Sequence, residues 1–284
     1  MKLCRFAIQN GRDRVGLVLE DTVLDLSSEG IDRLSSLFEF EGLIAQLQNF
    51  ANQNLPRIPL ADVRLLAPLD QQEVWAAGVT YLRSKKARMD ESDFSATAYD
   101  RVYDALRPEI FFKAIAERVV PTGEAVGIRK DATWNVPEPE LVLMLNSRAH
   151  VVGYAIGNDM SSRDIEGENL LYLPQAKVYD RSCAIGPFVR VGVSEEEART
   201  WTIQVQIQRA GNKVFQGETS VSQIKRGFTE LACYLFRSQT FRHGAALLTG
   251  TGVVPPNDFT LQPGDKVRIS ISGIGELENE VVTV

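Results

Sequence analysis

The chain has 284 residues, is 44% hydrophobic and carries a formal charge of −6, which is enough apolar content for one large domain or a large one with a small companion. The negative charge and the lack of a Lys/Arg cluster exclude nucleic acid as a partner, because phosphate contacts need concentrated positive charge. Cys4, Cys183 and Cys233 stand far apart with no CxxC pair, so they read as small buried thiols, with no disulfide framework or zinc site.

Met1 to Gln9 lacks the apolar core of a signal peptide, and no segment approaches the roughly 20 apolar residues of a membrane helix, so the expected location is the cytoplasm, with no membrane partner. Residues 1–65 read as a small N-terminal α+β domain. Two short strands, Leu3 to Ile8 and Val15 to Leu19, precede a helix predicted over Ile31 to Phe50. Its stripe of Ile31, Leu34, Leu37, Phe38, Ile44 and Leu47 is packing rather than chemistry. Asn52 to Pro59 is polar and contains proline, which ends the helix and marks a linker into a second domain, residues 66–284. There Glu73 to Val79 reads as a buried strand. Tyr81 to Arg107 is highly charged and reads as helical or mobile, the kind of segment that closes over a site.

The densest chemical signal is Asn135-Val-Pro-Glu-Pro-Glu-Leu-Val-Leu-Met-Leu. Pro137 and Pro139 push the residues before them into extended geometry, which sets Glu138 and Glu140 two apart with carboxylates facing the same way. Asn146 to His150 reads as a hairpin loop. Val151 to Ile156 returns antiparallel and carries Asp159 back toward the glutamates. Two readings stand at this point. One is a pair of solvated strand glutamates with a turn aspartate. The other is a divalent-metal site in which three hard oxygen ligands favour Mg²⁺ or Mn²⁺.

Beyond Lys177 the pattern is mostly strand. Ile185 to Val191 and Trp201 to Gln208 alternate with period two, Asn212 marks a hairpin turn, and Phe259 to Ile271 is a turn feeding a strand; Val221 to Arg237 reads as a helix. The expected class is β-rich α+β. Strands and helices do not alternate regularly, which disfavours a doubly wound sheet.

The Glu138/Glu140 hairpin followed by Asn158-Asp-Met-Ser-Ser-Arg-Asp164 resembles the metal-binding core of the fumarylacetoacetate hydrolase superfamily. The likeness extends upstream to Arg107-Pro-Glu-Ile-Phe-Phe-Lys113 and downstream to Lys177. Val102 to Ala114 and Glu168 to Tyr179 are similar, more narrowly, to its 2-keto-3-deoxy-D-arabinonate dehydratase branch. The resemblance covers residue 70 onward and implies a rolled mixed β-sheet, a homodimer or higher homo-oligomer, and Mg²⁺ held by Glu138, Glu140 and Asp159. It places Lys177 beside the metal, as base or as positive charge for an enolate, against the plain alternative of a surface lysine. Arg163 stands where the family has a pocket arginine suited to a carboxylate; a structural salt bridge to Asp164 or Glu166 is the alternative. Glu166 replaces a glutamine of the hydrolases and is an acid/base candidate, with a solvated turn carboxylate as the alternative; Glu109 is a second acid/base candidate unless it pairs with Lys113. Thr251, in the glycine turn Thr249-Gly-Thr-Gly, and the segment beginning Thr80-Tyr81 are the remaining substrate-binding candidates.

One departure bears on the reaction. The hydrolases carry a histidine base after the first strand, where this chain has Thr80-Tyr-Leu-Arg-Ser-Lys-Lys; its only histidines are His150 and His243, which read as loop residues. The resemblance therefore implies a Mg²⁺-dependent dehydratase converting a 2-keto-3-deoxy-pentonate to 2,5-dioxopentanoate in sugar-acid catabolism. A hydrolase or decarboxylase of acylpyruvates or other 2-keto acids is the alternative, and a non-catalytic metal-dependent binding protein the third reading.

Overall fold

The computed structural model describes residues 1–9, 11–82 and 101–284. The expectation of a covering segment over Tyr81 to Arg107 falls mainly on residues 83–100, outside those described. The larger, eleven-stranded sheet runs Arg57–Pro59, Thr22–Asp25, Arg14–Leu19, Lys2–Ala7, Cys183–Val191, Val151–Asp159, Pro139–Leu145, Ala245–Leu248, Glu73–Gly78 and Glu109–Ala114, with Arg64–Leu66 also pairing to Lys2–Ala7. A five-stranded sheet runs Asn212–Ser220, Thr202–Arg209, Lys266–Ile271, Gly275–Thr283 and Val126–Ile128. Both are mixed. Ala245–Leu248 is parallel to Glu73–Gly78, and Gly275–Thr283 is parallel to Val126–Ile128.

The Pro139–Leu145 strand shows why its sequence is continuously apolar: it is buried on both faces. Leu141, Leu143 and Leu145 enter one core with Ile203, Val205, Ile207 and Ile269 of the smaller sheet. Val142 and Met144 enter the other core with Leu34, Leu37, Leu47 and Phe50. Each such side chain contributes about 1.5–3 kcal/mol on burial, so the strand that carries Glu140 is among the most firmly held in the molecule. Residues 1–65 therefore supply both strands of the same sheet, through Lys2↔Arg190 and Leu3↔Val189, and the helices that cover its far face.

Three local expectations need correction. The helix read over Ile31 to Phe50 is two, Leu34–Leu37 and Leu43–Ala51, because Gly42 adopts φ +66, a left-handed conformation that a right-handed helix cannot continue. The helix read over Val221 to Arg237 opens as a short 3₁₀ turn, Val221–Gln223, and becomes α-helical only at Phe228–Phe236, after Gly227, whose N–H donates to the Glu230 carboxylate. Cys233 lies on the exposed side of that helix, whereas Cys4 and Cys183 are buried, with burial pushing both thiols up to about 12.

Candidate metal centre

The register of the hairpin brings the acidic residues to one end. Pro139 lies opposite Asn158 and Glu140 opposite Gly157, while the Asp159 N–H donates to the Glu138 carbonyl at 3.0 Å. Glu138 sits just before the strand rather than in it, and its carboxylate still converges with that of Glu140. Each of Glu138, Glu140 and Asp159 offers an oxygen within 4.8 Å of the others, and all three are buried.

Buried cations surround this trio. Lys177 ends the short helix Leu173–Lys177, and its Nζ donates to Glu138 Oε2 at 2.9 Å, Asp159 Oδ2 at 3.0 Å and Ser161 Oγ at 2.6 Å. Arg163 opens the helix Arg163–Glu168 and donates from Nη2 to Glu138 Oε1 at 2.8 Å. Lys113, fully buried, pairs with Asp159 Oδ1. Glu140 has a different kind of partner, the Gly250 N–H at 2.6 Å. Burial, then the charges of Asp159 and Glu138, pushes its carboxyl well above the usual carboxylate range.

The cavity over these groups is also lined by Gly78, Val79, Glu109, Phe111, Glu166 and Thr251. Lys113, Arg163 and Lys177 pair with Glu138 and Asp159. Glu140 makes no ion pair among the described residues. Three buried carboxylates that converge within 4.8 Å form a hard oxygen donor set, so the residues fit Mg²⁺ or Mn²⁺.

The remaining predicted residues divide. Glu109, at the start of the strand Glu109–Ala114, Glu166 and Thr251 line the cavity. Thr80 and Tyr81 are buried beneath its wall: Thr80 Oγ1 donates to the Thr249 carbonyl and so fixes the glycine turn, and the Tyr81 ring packs where any side chain on Gly252 would stand. Arg163 pairs with Glu138 across 25 positions of sequence, and Asp164 instead accepts from Thr133 N and Oγ1. His150 and His243 are exposed loop residues. Sequence reasoning gave Lys113 no role beyond a partner for Glu109, yet it reaches Asp159. The signal was available, since Glu109, Phe111 and Lys113 alternate along one strand and therefore share a face.

A family model described as the fumarylacetoacetate (FAA) hydrolase C-terminal domain matches residues 73–282. The chain belongs to the fumarylacetoacetate hydrolase family. It is 42% identical to a probable 2-keto-3-deoxyxylonate dehydratase of Haloferax volcanii, over 97% of each chain. It is 35% identical to the 2-dehydro-3-deoxy-D-arabinonate dehydratase of Saccharolobus solfataricus, over 98% of this chain and 95% of the relative. The fold superposes on a solved structure of 2-keto-3-deoxy-D-arabinonate dehydratase complexed with magnesium and 2,5-dioxopentanoate with a TM-score of 0.84 and 32% identity, covering 100% of this chain and 99% of the other.

Proposed function

We propose that the protein is a Mg²⁺-dependent hydro-lyase that dehydrates a 2-keto-3-deoxy-pentonate, such as 2-dehydro-3-deoxy-D-arabinonate, to 2,5-dioxopentanoate in sugar-acid catabolism. The observation that carries this reading is the buried Glu138/Glu140/Asp159 cluster with Lys177, Glu109 and Glu166 around one cavity, in a chain similar over its length to two dehydratases of such acids. Glu138, Glu140 and Asp159 would hold Mg²⁺, with Mn²⁺ satisfying the same donors. When bound, the cation supplies Lewis acidity to the 2-keto carbonyl and so acidifies the C3 protons.

The protein's own groups then have proton work at three atoms. Lys177 Nζ places positive charge, or as the free amine a base, beside the C2 and C3 atoms. One of Lys177, Glu109 and Glu166 takes the C3 proton, and a protonated carboxyl among the latter two delivers a proton to the C4 oxygen, which leaves as water. Tautomerisation moves the remaining unsaturation to C5 and yields the aldehyde. Substrate binding is assigned to Thr251 on the glycine turn and to Arg163 beside Glu138, while Thr80 and Tyr81 support that turn from beneath. A histidine to activate water for carbon–carbon hydrolysis is missing from this scheme, since both histidines lie in exposed loops.

The same proposal places the enzyme in the cytoplasm as a homodimer or higher homo-oligomer acting on a small 2-keto sugar acid. Family resemblance supports the assembly. Among the described residues no helix is long and apolar enough to cross a membrane.

Product analysis by NMR tests the reaction class. Incubation of 2-keto-3-deoxy-D-arabinonate with the Mg²⁺-loaded enzyme in D₂O should give the C5 aldehyde with deuterium at carbon. An inert sugar acid together with pyruvate release from acylpyruvates would assign the chain to the hydrolases instead.

A further inference from the structure

Lys113 is a buried lysine that the reaction scheme does not use. Its ammonium pairs with Asp159 Oδ1, donates to the Met160 carbonyl at 2.9 Å, and donates to the carbonyl of Lys177. All three acceptors belong to the metal centre's scaffold. Asp159 is a candidate ligand, Met160 follows it, and the Lys177 carbonyl lies at the C-terminal end of a helix, where a carbonyl has no partner within the helix. The two lysines thus divide one carboxylate: Lys113 takes Oδ1 and Lys177 takes Oδ2, the oxygen on the side shared with Glu138.

We infer that Lys113 is a positioning residue for the metal centre, a clamp that fixes the rotation of the Asp159 carboxylate and the distance between the Asp159 and Lys177 backbones. The inference rests on the metal-binding reading of Glu138, Glu140 and Asp159. Asp159 and Lys177 are 18 residues apart in sequence and sit on a strand end and a short helix. Lys113, from the edge strand Glu109–Ala114, joins them through a side chain that has no exposure to water. Its polar contacts are with a candidate ligand and with backbone, and its ammonium lies 5.9 Å from the centre of the Tyr179 ring, as expected of a group that orients ligands without binding metal or substrate itself.

Electrostatics and positioning make opposite predictions for this residue. Deleting a positive charge beside three carboxylates should, through Coulomb attraction alone, tighten Mg²⁺ binding. Losing the clamp should weaken it by about 10–100-fold, the usual effect of removing a group that orients a metal ligand.

Calorimetric titration of Mg²⁺ into metal-free wild type, Lys113→Met and Lys113→Gln decides between them, with circular dichroism to verify folding. The clamp predicts at least about tenfold weaker binding for Lys113→Met and a smaller loss for Lys113→Gln, which keeps a donor for one carbonyl. Binding as tight as wild type, or tighter, in either folded variant overturns the inference; if Lys113→Met does not fold, Lys113→Gln is judged by that same criterion. Wild type that takes up no Mg²⁺ overturns the metal reading itself and the clamp with it, which separates the two failures.

Discussion

Gly78 lies directly opposite Glu109 in the antiparallel pairing of Glu73–Gly78 with Glu109–Ala114, and a methyl group at Gly78 would overlap Glu109 Oε2. The glycine is a seat for the carboxylate. Gly78→Ala should therefore displace Glu109 from the cavity without touching the metal ligands. We expect kcat to fall by about 100-fold or more, the usual contribution of a positioned acid or base, with Mg²⁺ affinity unchanged. Steady-state kinetics beside metal titration would check this, and a Gly78→Ala enzyme of normal kcat would remove Glu109 from the proton-transfer groups.

Lys177 holds two buried carboxylates at once. Lys177→Met leaves Glu138 Oε2 and Asp159 Oδ2 without their shared cation, and breaking such a buried pair costs about 3–5 kcal/mol. Thermal unfolding in EDTA should show that loss, and saturating Mg²⁺ should recover much of it while turnover stays abolished. A variant equally stable with and without metal would show that no cation takes the place of the Lys177 ammonium between Glu138 and Asp159.

The pH dependence of the metal-free protein follows from Glu140. Its folded pKa is raised above the ordinary 4.5, first by burial and then by Asp159 and Glu138. Folding therefore favours the neutral carboxyl, and this contribution to stability is full below about 4.5 and is lost as pH rises through the folded value. Relative to Glu140→Gln, whose side chain does not titrate, metal-free wild type should become progressively less stable as pH rises from that point. Chemical denaturation at a series of pH values measures the difference. A gap that does not change with pH would show that Glu140 is not held in its neutral form.

Much of this site was legible because its determinants are local. Two prolines extend the backbone around Glu138 and Glu140, and an apolar hairpin of fixed register returns Asp159 to them. What escaped was set by tertiary contact or by single backbone angles. The pairing of Arg163 with Glu138 rather than Asp164 depends on where the Arg163–Glu168 helix docks against the hairpin. The break in the N-terminal helix rests on the left-handed φ of Gly42, which leaves the apolar stripe unaltered, so Leu34, Leu37, Phe38 and Leu47 are buried as a continuous helix would have buried them. Lys113 looked like a local partner for Glu109. The pleat puts both on one face, but the ammonium reaches the strand end that carries Asp159.

Thr80 holds the glycine turn from below through its bond to the Thr249 carbonyl, and Gly250 in turn donates to Glu140. Thr80→Val removes the hydroxyl and leaves that buried carbonyl short of a donor, a loss of about 1–3 kcal/mol. Substrate KM should rise with little change in global fold. Urea denaturation and steady-state kinetics would report both quantities, and an unaltered KM would show that the turn is held without Thr80.

The central claim is that the buried carboxylate cluster is a Mg²⁺ site serving dehydration. The most direct measurement incubates metal-stripped enzyme with 2-keto-3-deoxy-D-arabinonate, with and without Mg²⁺, and follows 2,5-dioxopentanoate through a coupled aldehyde dehydrogenase. The account predicts product only with Mg²⁺, and none from Glu140→Gln at the same metal concentration. Product formation without any divalent cation, or full activity in Glu140→Gln, would contradict it.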